Sequence, residues 1–383
     1  EHGAQVIILD RSWIVEQVID RDHRDLAVNY LSVGTEVRTG GRLGPSDYSR
    51  AQQLEDLERA LADPKAFEGM ALQRVSEALV AAKLSRSLER PRIETDGRFA
   101  RAIRLARSEG SQYQQLEAQY ESLWTAFWWF DDIALVNREY TDFEGRVLPS
   151  DHAKLLEMLC NLLQLLFNAT LHRQLTSEET DVAARASRLR SRLAALAQDA
   201  TRPNNALEAT TSVLLIDVNN AMLAGNSEEL SSLWPQFSAV LDKADGLGEF
   251  DATRAINLIK VFGQIAGADP AYIKLYDQLV DFVSQRKSEA EGALLLLERA
   301  RQLDFDRNFE MIRLLGRAVR QLTKREHSDS LAEATQLLAL AYRSAGLLWA
   351  ARAICLFAVA TMFIDAEEGG DLPASVVPTV MML

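Results

Sequence analysis

The sequence predicts an all-α chain built from helical hairpins, and three features say so. Ala, Leu, Glu, Arg and Gln dominate, all strong helix formers, while Pro occurs only 9 times in 383 residues. The helical period is plain in "QYQQLEAQYESLWTAFWWF", where Tyr113, Leu116, Tyr120, Leu123, Phe127 and Phe130 recur three and four apart on one face. Breaks then come at regular intervals: "VLPSDH", "LTSEE", "TRPNN", "AGNSEE", "GLGEFD", "GADP", "KSEAE", "DFDRN" and "EHSDS". The segments between them pair into units of about 40 residues, the period of helical-hairpin repeats.

The N-terminus differs from the rest. Val6, Ile7, Ile8 and Leu9 form a short continuous apolar run that predicts a strand buried on both faces. "DRSWIVEQVIDRD" follows as a helix, with Asp10 or Ser12 placed to cap it. Residues 1–33 therefore read as the closing strand and helix of an upstream α/β domain, residues 34–50 as a linker rich in Gly and polar residues, and residues 51–383 as the helical repeat domain. The chain begins at Glu1 without Met, and "ASVVPTVMML" at its end predicts the start of another hairpin. Both ends thus suggest a fragment of a larger protein. Within the repeat region several breaks carry capping chemistry. Thr176 or Ser177 precedes Glu178 and Glu179, and Asn226 or Ser227 precedes Glu228 and Glu229. A short oxygen side chain accepts a hydrogen bond from a helix N-terminal N–H, and the acids suit the dipole. "AKLLEMLCNLLQLLFNATL" is apolar nearly all round, so it needs cover on both sides.

One unit is sharper than the others. In "ATQLLALAYRSAGLLWAARAICLFAVA", Leu338, Ala339, Tyr342, Gly346, Ala351 and Ala358 are spaced so that small residues lie where two helices cross, Leu and Tyr fill the groove, and Gly ends the first helix. This segment resembles a tetratricopeptide repeat. It departs from that pattern in having Cys355 where a large residue is usual and in lacking the closing Pro. The resemblance implies a right-handed solenoid of antiparallel helical hairpins. A second resemblance joins "VIILDRSWIVEQVIDRDHRDLAVNYLSVG" to the repeats: together they look like large bacterial proteins that fuse a restriction-endonuclease-like domain to such an array. Its catalytic carboxylates and lysine would lie upstream of this chain, so no catalytic residue is carried over.

Charge and cysteine usage narrow the function classes. The formal net charge of −13 disfavours a generic grip on nucleic-acid phosphates. Cys160 and Cys355 each lie in an apolar helical stretch, outside any CxxC or Cys/His cluster. They read as buried free thiols of a reducing, cytoplasmic compartment. No stretch of about 18 uncharged apolar residues occurs, so no membrane span is expected.

The candidate sites are few. Asp131 and Asp132 end an aromatic run, "WTAFWWFDD", and resemble the first acidic motif, DDxx(D/E), of class I terpene synthases, which bind magnesium and diphosphate. The fifth position is Leu135, and no second ligand cluster with suitable spacing follows. Helix capping is the competing reading, with Trp124, Trp128 and Trp129 as core. "DRDHRD" around His23 reads as a solvated, salt-bridged face, and "ADPK" at 62–65 as a turn. "RASRLRSRL" places Arg185, Arg188 and Arg192 on one helix face and Arg190 on another. Such a stripe could meet an acidic partner or, together with the Arg-rich region 86–107, nucleic acid. No aromatic residue interleaves it for base stacking. The expectation is a non-enzymatic scaffold or sensor with no cofactor and no metal. It would bind a protein or peptide partner and regulate or target an upstream effector. A nucleic-acid-binding array is the second reading.

Overall fold

The computed structural model describes Pro45–Asp63 and Lys65–Glu367, and every regular element among these residues is helical. The predicted strand and helix of residues 1–33, and the apolar tail after Gly370, lie outside the described residues. The chain divides into two compact units, one ending at Asn226 and one starting at Ser227.

The first unit holds α1 (Pro45–Ala62), α2 (Ala71–Ser87), α3 (Arg92–Glu109), α4 (Gln112–Phe130), α5 (Ile133–Val147), α6 (Ala153–Leu171), the single turn α7 (Ser177–Thr180), α8 (Val182–Ala197) and α9 (Pro203–Ala224). Residues 45–50, expected as the end of a linker, already belong to α1. Pro45 stands at its first position, where a missing N–H costs nothing. The second unit holds α10 (Ser227–Asp245), α11 (Thr253–Ala266), α12 (Pro270–Arg286), α13 (Glu289–Arg301), α14 (Asn308–Gln321), α15 (Ser328–Ser344) and α16 (Leu348–Glu367).

Helix ends follow their local chemistry. Ser111 and Gln114 close a capping box at the start of α4, and Thr176 and Glu179 close another at α7. Gly346 has φ +75°; its N–H donates to Arg343 O at 3.0 Å and that of Leu347 to Tyr342 O at 2.8 Å. This is the Schellman closure of α15, at the glycine the repeat pattern singled out. Around it Leu338, Ala339, Ala351 and Ala358 are buried and Tyr342 is half-buried. Cys160 and Cys355 are buried free thiols.

Helices pack on their chain neighbours and also on the helix two further on. With the single turn α7 left out of the count, the next-but-one pairs that follow run parallel. Gln114 of α4 donates to Leu72 O of α2 at 2.8 Å, and further along both helices Arg86 donates to Glu121 at 2.6 Å. In the same sense Ala153 N of α6 meets Asn205 of α9 at 2.8 Å, and Gln164 meets Asn219. In the second unit Gln278 of α12 donates to Asp242 of α10 at 2.7 Å, and Arg313 of α14 reaches Asp277 of α12 at 3.5 Å. The core of the first unit centres on α6, where every residue from Leu156 to Ala169 is buried. The core of the second centres on Trp234, fully buried against Phe262 and Tyr272 with ring centroids 5.5 Å away in each case. Its indole N–H donates to Asp269, which also caps α12.

One device recurs in both units: an arginine reaches back onto the carbonyls that follow an earlier helix. Arg192 of α8 donates to Ser150 O after α5 at 2.8 Å, 42 residues away in sequence. Arg286 of α12 donates to Ala244 O at 2.7 Å, again 42 residues away, and to Leu247, Gly248 and Phe250 O beyond it. Arg299 of α13 donates to Gly263 O and Gly267 O around the end of α11, and Arg307 joins it on Gly267 O. Ala244 and Gly263 lie in the last turns of α10 and α11, where the helix's own ladder leaves carbonyls open. The other acceptors lie in the loops that follow, and a cation is favoured at the negative end of the dipole. Arg286→Met keeps the aliphatic stem but removes every one of these donors. It is expected to destabilise the chain by about 1.5–3 kcal/mol, the range of hydrogen bonds to charged groups, measured by urea denaturation.

Candidate functional site

The two adjacent aspartates close one helix and open the next. Asp131 sits at φ +53° and ends α4, with its N–H donating to Phe127 O at 2.9 Å. Asp132 is the N-cap of α5: its Oδ1 accepts from Leu135 N at 3.0 Å, and its Oδ2 accepts from Arg92 at the start of α3. Burial pushes the Asp132 carboxyl up, but the Arg92 guanidinium and the Leu135 N–H outweigh it and hold the carboxyl below its ordinary value. The pair therefore does not share a helical face, as a DDxx(D/E) site requires. Among the described residues no group of three His, Cys, Asp or Glu side chains could hold a metal ion. The neighbouring tryptophans pack inward. Trp124 is buried between Tyr120 and Trp128, with ring centroids at 5.7 and 5.6 Å, and Trp129 lies under the Arg86 guanidinium at 4.7 Å. Of the predicted apolar face of α4, Leu116, Tyr120, Leu123 and Phe127 are buried; Tyr113 is exposed and Phe130 half-buried. Asp63 accepts from Lys65 N at 2.9 Å, and a turn follows at 65–69.

The arginine stripe on α8 is turned toward α5. Arg185 is buried; it lies over the Tyr140 ring at 4.6 Å and donates to Asn137 Oδ1 at 2.6 Å. Arg188 grips Glu144 with two bonds of 3.0 and 2.9 Å. Arg192 holds the Pro149 and Ser150 carbonyls, and Arg190, on the other face, grips Asp217 of α9. The stripe reads as a ladder between helices, three rungs long. Its residue spacing suits an external anion equally well, and only the partners on α5 tell the two apart.

The Arg-rich region 86–107 behaves differently. Arg86 and Arg92 are engaged as above. Arg98 and Arg101 both turn onto Glu58 of α1, Arg98 at 2.8 Å and Arg101 through two bonds of 2.7 and 2.8 Å. Arg101's paired bonds hold the Glu58 carboxyl below its ordinary value; partial burial pushes the other way, and Arg98 adds to the lowering. Arg104 and Arg107, further along α3, are exposed and make no ion pair among the described residues. Three openings line this face of α3. One of about 440 Å³ runs past Leu54, Glu58, Arg90 and Arg98; one of about 380 Å³ past Ile93, Gly97, Arg101 and Arg104; and one of about 210 Å³ lies among Leu61, Arg74, Arg101, Arg104, Leu105 and Ser108. A groove of mixed charge with surplus arginine thus runs along this face of α3. The arginines are visible in the sequence as a residue type but Glu58 is not, because its pairing with residues about 40 positions on follows from the packing of helices and from no local spacing.

No family model matches the chain, and no curated protein matches it. Among solved structures it is similar to a "Circular tandem repeat protein with novel repeat topology and enhanced subunit contact surfaces", with 15% identity over 99% of this chain and 95% of that one and a TM-score of 0.27. A likeness at that level carries no weight for the site. Among the described residues no helix is long and apolar enough to cross a membrane.

Two outcomes are expected. Asp132→Ala removes a helix cap and should cost about 1 kcal/mol. Magnesium should leave the melting temperature of both the variant and the parent unmoved; a magnesium-dependent rise lost in the variant would restore the metal reading. Glu58 has a lowered folded pKa. Its contribution to stability is therefore fully present above the ordinary value of 4.5 and is lost as pH falls through the lower folded value. Glu58→Gln should be less stable than the parent near neutral pH, and urea denaturation repeated at about pH 3 should find the gap narrowed.

Proposed function

We propose that the chain is a partner-binding array of antiparallel helical hairpins, a tetratricopeptide-like right-handed solenoid. It docks a protein or peptide and thereby regulates or targets an effector domain. One observation carries the reading. Side chains reach back onto the helix one hairpin earlier, at sequence separations such as 42 for Arg192, 42 for Arg286 and 40 for Arg307. That recurrence is what a stack of units of about 40 residues demands, each held by its immediate neighbours. What each unit offers is a face of side chains, and recognition is the work such a face does.

The charge pattern favours a protein over a nucleic acid. The stripe on α8 spends its guanidinium groups on Asn137, Glu144 and Ser150, and Arg190 on the other face spends its own on Asp217. Within a chain of net charge −13, the cationic surplus on α3 is local and short. A long phosphate backbone needs many such contacts in a row. An acidic or phosphorylated segment of a protein needs only a few.

The test is capture by the immobilised chain from a lysate of the source organism, with eluates from low-salt and high-salt washes checked for both protein and nucleic acid. A discrete protein surviving high salt is the expected result. Nucleic acid held at low salt and lost at high salt, with no protein retained, would overturn the reading.

A further inference from the structure

The opening of about 210 Å³ on the first unit is lined by Leu61 from the end of α1, Arg74 from the first turn of α2, and Arg101, Arg104, Leu105 and Ser108 from the second half of α3. Every charged residue on its wall is an arginine. The carboxylates that answer them lie outside the lining. Glu109 takes Arg74 at 3.2 Å, and Glu58 takes Arg101 while also taking Arg98, which reaches Glu94 at 3.3 Å. Among the described residues four guanidinium groups, those of Arg74, Arg98, Arg101 and Arg104, thus meet three carboxylates, and the one that makes no ion pair there, Arg104, lies on the cavity wall.

Two further details point the same way. The Arg101 Nε–H is buried and has no hydrogen-bond acceptor, so this cluster is short of acceptors and not of donors. The Ser108 hydroxyl is already donating into its own helix, to Arg104 O and Leu105 O at 3.2 Å, which leaves recognition to the arginines. A guanidinium presents a planar fork of N–H donors that matches the oxygens of phosphate or carboxylate, and Arg74 and Arg104 approach the space from different helices. Metal ions are excluded by the sign of the wall. Base stacking has no surface, since no aromatic residue lines the opening.

We propose that this cavity is an oxyanion site for a phosphate-class group, held chiefly by Arg104 and Arg74. The ligand is either free inorganic phosphate or a phosphoryl group carried on a peptide; Leu61 and Leu105 give the peptide-borne form an apolar surface to lie on. In its peptide-borne form the proposal rests on the partner reading above; in its free-ion form it does not.

Inorganic phosphate is the first probe, titrated into the intact chain against sodium chloride at matched ionic strength and followed by calorimetry and by melting temperature. A saturable effect of phosphate absent with chloride is expected. Arg104→Gln should weaken it about tenfold, the loss of one charge-assisted contact, and Arg74→Gln should weaken it too. Arg107→Gln, an exposed arginine outside the lining, should leave it unchanged. Arg104 is itself exposed, so its variant is expected to keep the parent's circular dichroism spectrum; should it fail to fold, Arg74→Lys replaces it, keeping the charge but losing the fork. A phosphoserine peptide and its unphosphorylated twin form the second arm. Displacement of phosphate by the phosphopeptide alone assigns the site to a peptide-borne group, and phosphate binding without competition assigns it to the free ion. No saturable binding of either ligand, or binding that the Arg104 and Arg74 variants leave intact, overturns the proposal.

Discussion

The structure depends on what happens to the carbonyls where each helix stops. An α-helix leaves its last carbonyls without partners in its own ladder, and burying them bare would be costly. Here arginines supply the donors from further along the chain, and they do so in both units. Arg286 alone donates to four carbonyls between Ala244 and Phe250. Arg299, itself buried over Tyr272 and Tyr276, does the same for Gly263 and Gly267. Each bond ties the end of one helix to the body of a helix that comes later. The register between them is then set by the reach of one side chain. Apolar packing alone tolerates sliding by a helical turn, whereas a guanidinium that must find three or four oxygens does not.

A second constraint works inside α6. Its buried polar residues Glu157, Asn161, Gln164 and Asn168 recur three and four apart, a polar stripe along a helix wholly covered by its neighbours. Each needs a partner, because an unsatisfied buried polar group costs more than a made hydrogen bond gains. Lys154 meets Glu157 at 2.8 Å, Asn161 donates to Tyr120 OH at 3.3 Å, and Gln164 donates to Asn168 at 3.1 Å while accepting from Asn219. The stripe thereby binds α4 and α9 to α6 at defined heights. Leucines fill the volume around it, and the amides decide which leucine meets which.

Helix positions were largely legible in the sequence, and the reason is local. Breaks such as "TRPNN" and "KSEAE" carry their own caps and breakers, and Pro203 and Ser288 sit where those signals place them, at the first turn of α9 and the N-cap of α13. The glycine at 346 was legible because a left-handed residue after a helix has few substitutes. The start of α1 at Pro45 was not, since its neighbours Gly44 and Ser46 read equally well as loop. Site chemistry was legible only as residue type. The spacing of Arg185, Arg188 and Arg192 predicts a shared face and says nothing of what that face meets. Its partners, Asn137, Glu144 and Ser150, lie on or just after another helix 42 to 48 residues away. The same limit applied to Asp132, whose cap to Leu135 is local and foreseeable, but whose second oxygen goes to Arg92, 40 residues back.

That limit bears on how surface charge should be read in stacked helices. An arginine here has two uses, as a clamp on an earlier helix or as a donor to something outside, and the two share one sequence signature. What separates them is the supply of acceptors. On α8 every arginine of the stripe finds a carboxylate, an amide oxygen or a free carbonyl within the first unit. On α3 the supply runs short: Glu58 serves two guanidinium groups at once, and the run continues to Arg104 and Arg107 with no carboxylate opposite them among the described residues. Desolvation favours clamping wherever an acceptor is in reach. A cation left over at the edge of a groove is therefore the better marker of an external anion than the length of any basic run.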